Sequence, residues 1–235
     1  MLVLTLAACA LFVALGRWQW QRGEYRAAQW RSFERDEGTR DADAATLGAL
    51  PRYTRVRLHG AFDGAHQFLL DNISEGGRAG YYVVTPLRLQ SGTAVLVNRG
   101  WVPGSGYREQ LPDVTLPAGD AVQTHTGRTG MLPVAGLASG RVAPPASGPW
   151  PRLASFPLES ELAAVLPYPV APGVLLLDAD AGAGAAATPG LLRNWRPPGL
   201  APERHYSYAV QWWAFAALAV VLFAVLNLRR KKTAP

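Results

Sequence analysis

Cysteine is nearly absent: Cys9 is the single one in 235 residues. It lies inside an uncharged N-terminal run, so the rest of the chain has no disulfide, no thiolate metal site and no cysteine pair for copper. Thioredoxin-like and copper-chaperone mechanisms that rest on thiols are thereby excluded. The sequence also lacks GxGxxG and GxxxxGK[ST], so nucleotide binding has no anchor. Gly104, Ser105 and Gly106 lack the flanks of a GxSxG elbow, which leaves a hydrolase reading little support. His59, His66, His125 and His205 show no HxH or HxxxH spacing and have no neighbouring Cys or Glu pair of metal-site type. For the first three a structural or surface role is the better reading. Asp63, Asp71 and Asp113 are dispersed, so no acid/base pair can be assigned. No repeat of about 20 to 50 residues occurs. The one low-complexity patch, Ala179–Thr188, reads as a flexible loop. Nothing here declares an enzyme.

What the sequence does have is long apolar runs at both ends. Ala209–Leu228 is 20 residues without a charge, enough to cover the roughly 30 Å of a bilayer's hydrocarbon core. Arg229, Arg230, Lys231 and Lys232 follow it, and such a basic block stays on the cytoplasmic side. Met1–Leu15 is likewise uncharged and leads into Trp18, Trp20 and Arg22, an interfacial girdle of aromatic and basic residues. A cleaved signal peptide is the alternative for this segment. The missing basic n-region and the lack of a polar, cleavable stretch favour a retained anchor. Its apolar part is shorter than about 20 residues, and a short basic leader upstream of Met1 is expected to fix its inner end.

Two spans with the C-terminus inside place both termini in the cytoplasm and the stretch from about Arg17 to Tyr206 outside. The net charge of +6 and pI near 9.8 then need no nucleic acid. Four of the charges sit in the C-terminal block and the other arginines are scattered, so basicity reads as topology plus contact with anionic lipid.

The intervening sequence reads as β-rich. From Trp18 to about Glu37 helix formers carry the first span outward, with Gly23 a weak point. "YTRVRLHGAF" alternates with period two, and "HQFLLDN", "GYYVVTPLRL" and "TAVLVNRGWV" follow as short β runs separated by turns, an antiparallel meander. Pro103–Pro117 reads as loop. "AVQTHTGRTGMLP", "WPRLASFP" and "GVLLLDAD" are further strands, and Leu158–Pro167 a short amphipathic helix. The expected fold is therefore an α+β membrane protein whose N- and C-terminal transmembrane helices flank a β-rich, mainly antiparallel extracytoplasmic domain, a small open barrel. Its divisions are a first span over 1–20 whose helix continues to about 37, an outer domain over 38–201, a second span over 202–228 and a basic tail over 229–235.

Polar and aromatic residues crowd the two membrane mouths: Trp18 to Arg22 at one, His205, Tyr206, Tyr208, Gln211, Trp212 and Trp213 at the other. Trp20, Tyr206 and Trp213 read as ordinary interface anchors. With Pro202 opening a helix, His205, Tyr208, Ala209, Trp212 and Ala216 share one face. Two readings of that face stand open. One is an axial ligand and aromatic slot for a flat apolar cofactor; the other is a structural His205 packed on Trp18 or Arg22, or lying among headgroups.

"LGRWQWQR" (Leu15–Arg22), "RVRLHGAFD" (Arg55–Asp63), "GYYVVTPLRL" (Gly80–Leu89), "VLVNRGWVP" (Val95–Pro103) and "RHYSYAVQWWAFA" (Arg204–Ala216) resemble, in order, the blocks of the SURF1 family, also called Shy1. These are two-helix membrane proteins that assist assembly of haem-copper cytochrome c oxidase. The resemblance implies a non-enzymatic factor acting at oxidase subunit I, with haem a bound transiently in bacterial members and haem A synthase a further partner. It makes His205 the candidate haem a axial ligand and the sole metal contact, through the haem iron, with Tyr208, Trp212, Trp18 and Arg22 around it. Gln19, Asn98, Arg99, Gly100 and Trp101 become partner or structural motif residues. Asn98 and Arg99 offer hydrogen bonds either to backbone, locking a strand end, or to a haem propionate. The lack of an Arg- and Ser-rich transit peptide points to a bacterial inner membrane with the outer domain in the periplasm. The readings left beside this one are a haem-independent scaffold for nascent subunit I and a membrane-anchored periplasmic enzyme.

Overall fold

The computed structural model describes residues 2–35, 38–107, 110–116, 121–136, 140–178, 190–197 and 199–232, with backbone alone over 228–232. Ala179–Thr188 lies outside the described residues, as do Asp36 and Glu37, Arg108, Glu109 and Pro117, residues 233–235 and the side chains of the basic block.

Two compact units are present, 1–35 with 196–235, and 36–195. The first consists of α1 (Leu2–Glu34) and α3 (Pro202–Lys232). Each is long and apolar enough to cross a membrane. Pro202 opens α3, where its missing N–H costs nothing. Gly23 does not stop α1.

The second unit is a mixed sheet with one short helix. Its strands are β1 (Arg40–Asp41), β2 (Arg55–Phe62), β3 (Phe68–Glu75), β4 (Arg78–Leu89), β5 (Ala94–Pro103), β6 (Gln123–Gly130), β7 (Arg152–Ala154) and β8 (Val170–Leu177). The helix α2 (Glu159–Ala163) precedes β8, and a 3-10 turn covers Leu47–Ala49. β2 pairs with β6, β6 with β8, β8 with β5, β5 with β4, and the second half of β4 returns to β2. Five strands thus close a small barrel. The first half of β4 carries β3, and β3 carries β7, as an extension outside the ring.

Every strand and the helix read from the sequence are present, with β1 added in what reads as a polar link. The pairs within β2 to β5 are antiparallel, as a meander has them, with β2 beside β4. The sheet is mixed because β1–β2, β3–β7 and β5–β8 run parallel. Parallel neighbours require a crossover. The chain makes one after β6, passing through β7 and α2 before β8 enters the gap between β5 and β6.

That insertion explains the sequence pattern. β2 alternates, with Val56 and Leu58 inward and Arg55 and Arg57 outward. β5 and β8 are buried on both faces and so read as the continuous runs AVLV and VLLL. Val95, Val97, Leu175 and Leu177 join Val56, Leu58 and Leu87 in one core. Leu96, Val174 and Leu176 join Phe68, Leu70 and Leu162 in a second, under α2 and β7. Each such side chain contributes about 1.5–3 kcal/mol of burial.

Candidate functional site

Close approach of α1 and α3 begins with two glycines, Gly16 and Gly23, the buried residues of α1. A Cβ on Gly16 would overlap the Trp213 indole, and one on Gly23 the Tyr206 ring. Ala209 and Ala216 are buried on α3. His205 lies in the same row, 9 % exposed, and its Nδ1–H donates to Gln19 Oε1 at 2.9 Å. Gln19 is therefore its hydrogen-bond partner across the helix pair.

At about 100° per residue, Tyr206 and Trp213 fall on one side of the His205–Ala209–Ala216 row and Tyr208, Trp212 and Phe215 on the other. The ring contacts follow this division. Trp20 packs on Tyr206 and Trp213, at 4.8 and 5.8 Å between centroids. Phe12 stacks on Trp212 at 5.8 Å and meets Phe215 at 5.9 Å. Tyr206 also donates its hydroxyl to Glu24 Oε1, 2.8 Å away.

Of the residues singled out at this mouth, His205 and Gln19 are bonded, and Trp212 lies on an aromatic flank with Phe12. Tyr208 is exposed. Arg22 is exposed one turn beyond Gln19, its guanidinium 5.4 Å from the Tyr25 ring centre. Trp18 is 55 % exposed, and none of the ring contacts among the described residues involves it.

Chemically, the Gln19 bond holds one tautomer of His205. With the proton on Nδ1, the Nε2 lone pair is the one left for a metal, the arrangement usual for ligating histidines. A single imidazole with aromatic neighbours is a donor set that suits an axial haem ligand. Among the described residues no group of three His, Cys, Asp or Glu is placed to hold a bare metal ion.

The other block, Asn98–Trp101, lies wholly inside the barrel unit. Against β4, Val84 pairs with Asn98 and Val83 with Gly100, so Arg99 is the extra residue of a bulge. Gly100 follows at φ +137°, where a Cβ would press on Leu192 O. Asn98 Oδ1 accepts the Gly100 N–H at 3.2 Å. The bulge aims Arg99 inward. It is fully buried and donates from Nη1 to Gln67 Oε1 (2.7 Å), Val114 O (3.2 Å) and Thr85 Oγ1 (3.4 Å). Burial, with the charge of Arg193 second, lowers its pKa to about 10. Trp101 is buried, with its indole N–H on Ile73 O and its backbone paired with Leu192. The packing of the block fits the strand-locking alternative; a propionate at Arg99 would have to enter the interior.

Sequence reading missed Gln67, immediately before β3, and Thr85, on β4, which come from separate segments and so carry no local signal. It also missed a cluster around Asp63. Asp63 Oδ2 accepts from Tyr168 (2.6 Å) and His66 Nδ1 (2.7 Å), with Arg88 over the Tyr168 ring. Burial pushes the Asp63 carboxyl up, but those two bonds and the His66 charge outweigh it and hold the group below its usual range.

A model of the SURF1 family matches residues 6–217. A SURF1-like protein of Dictyostelium discoideum is 41 % identical over 69 residues, which are 27 % of this chain and 26 % of that protein. The match thus spans about a quarter of the relative's length.

Proposed function

The chain belongs to the SURF1 family, and from that premise we propose that it is an assembly factor for haem-copper cytochrome c oxidase, holding or delivering haem a while subunit I matures. The observation that carries the haem reading is the Gln19–His205 bond at 2.9 Å, which orients an imidazole and leaves its Nε2 lone pair for iron. His205 is the ligand, Trp212 and Tyr208 flank it, and Arg22 is the cation one turn from Gln19 that suits a propionate. Trp18 lies further around α1, facing the surroundings. The iron supplies an exchangeable coordination bond, so one protein ligand gives capture without permanence. The proposed setting is a bacterial inner membrane with the barrel unit in the periplasm, and the partners are subunit I and haem A synthase.

A second reading, a haem-independent scaffold for nascent subunit I, is favoured by the burial of His205 between the helices. An optical spectrum of the protein purified in detergent from cells that make haem a separates the two. Haem a in the wild type that is lost in His205→Ala supports the haem reading. A folded but haem-free wild type leaves the scaffold.

A further inference from the structure

On the flank of the helix pair away from Trp212, Arg17, Trp20, Gln21 and Trp213 line a cavity of about 210 Å³. Its chemistry is one-sided. Arg17 and the two indole N–H groups are donors without acceptor capacity, and Gln21 alone can accept. Among the described residues Arg17 makes no ion pair or hydrogen bond, and neither indole N–H has an acceptor. The nearby carboxylate, Glu24, is engaged by the Tyr206 hydroxyl. Arg17 immediately follows the uncharged run Leu2–Gly16, which sets the cavity where an apolar span meets headgroups.

We propose that this cavity is a site for the phosphate of an anionic phospholipid. Arg17 meets the phosphodiester, and the indole N–H groups donate to it or to the ester carbonyls. The Trp20–Trp213 pair covers the glycerol, and the acyl chains follow the apolar face of α1. A choline headgroup also brings a phosphate and could use the aromatic faces, but its cation would sit beside Arg17. The inference rests on the two helices spanning a membrane and is independent of haem.

The test is native mass spectrometry of the full chain in detergent, titrated with phosphatidylglycerol or phosphatidylcholine. The first phosphatidylglycerol is expected to bind about fivefold more tightly than phosphatidylcholine, the increment of one interfacial arginine. Arg17→Gln should abolish that preference, Trp213→Phe should reduce it by removing an N–H while keeping a ring, and Arg31→Gln on the same helix should leave it intact. Equal affinity of the wild type for both lipids would overturn the proposal. So would a preference that survives both Arg17→Gln and Trp213→Phe, or one that Arg31→Gln lowers equally, which marks general charge attraction.

Discussion

Arg99 keeps its charge in the barrel interior because one nitrogen is shared by Gln67, Thr85 and a carbonyl. Removing the guanidinium strands those acceptors. Arg99→Ala is expected to cost about 3–5 kcal/mol, and Arg99→Met, which keeps bulk while deleting the buried charge, clearly less; urea denaturation of the full chain in detergent ranks them. Arg99→Lys should not restore wild-type stability, since an ammonium lacks the planar fork. At the helix pair the telling residue is Gln19. If haem is held by His205, Gln19→Leu should weaken it about 10–100-fold by releasing the ring, the loss expected on removing a histidine's outer partner; haem retained per protein through dilution measures it. The residues of both blocks were visible in the sequence as polar or aromatic oddities. Their partners were not: Gln19 and His205 are 186 positions apart, and no local pattern joins them.

Among the elements, α1 and α3 depend on backbone proximity more than on apolar interdigitation. Gly16→Val would press a branched side chain into the Trp213 indole, at a cost of about 1–3 kcal/mol. The loss should be partly regained in Gly16→Val/Trp213→Ala, because the second change empties the contested space; thermal denaturation in detergent reports both. The two apolar spans were legible from run length and the opening of α3 from the fixed φ of Pro202; that α3 continues through the basic block to Lys232 was not. Strands were legible because alternation and β-branched runs mark them. Whether β5 would lie beside β8 was not, since a parallel pair and an antiparallel one draw on the same apolar runs.

For the molecule as a whole, the barrel unit carries a pH dependence with a definite sign. Burial holds His125 below its ordinary 6.5, so the unfolded chain takes up that proton first. Stability from a neutral His125 is full above about pH 6.5 and is lost as pH falls toward the folded value. Asp63, held below 3.8, contributes stability that is present above about pH 3.8 and is lost as pH falls through its folded value. Denaturation midpoints should therefore drop in two stages on acidification, and His125→Phe should flatten the upper one. The sequence by itself determined the division into two apolar ends and a β-rich middle, because hydrophobic run length and period are properties of consecutive residues. It also carried the family, because the blocks are linear. Tertiary structure decided the barrel closure, the inward aim of Arg99 and the pairing of His205 with Gln19. Each depends on which distant segments become neighbours, and that is set by strand register and by the absence of a Cβ at Gly16 and Gly23.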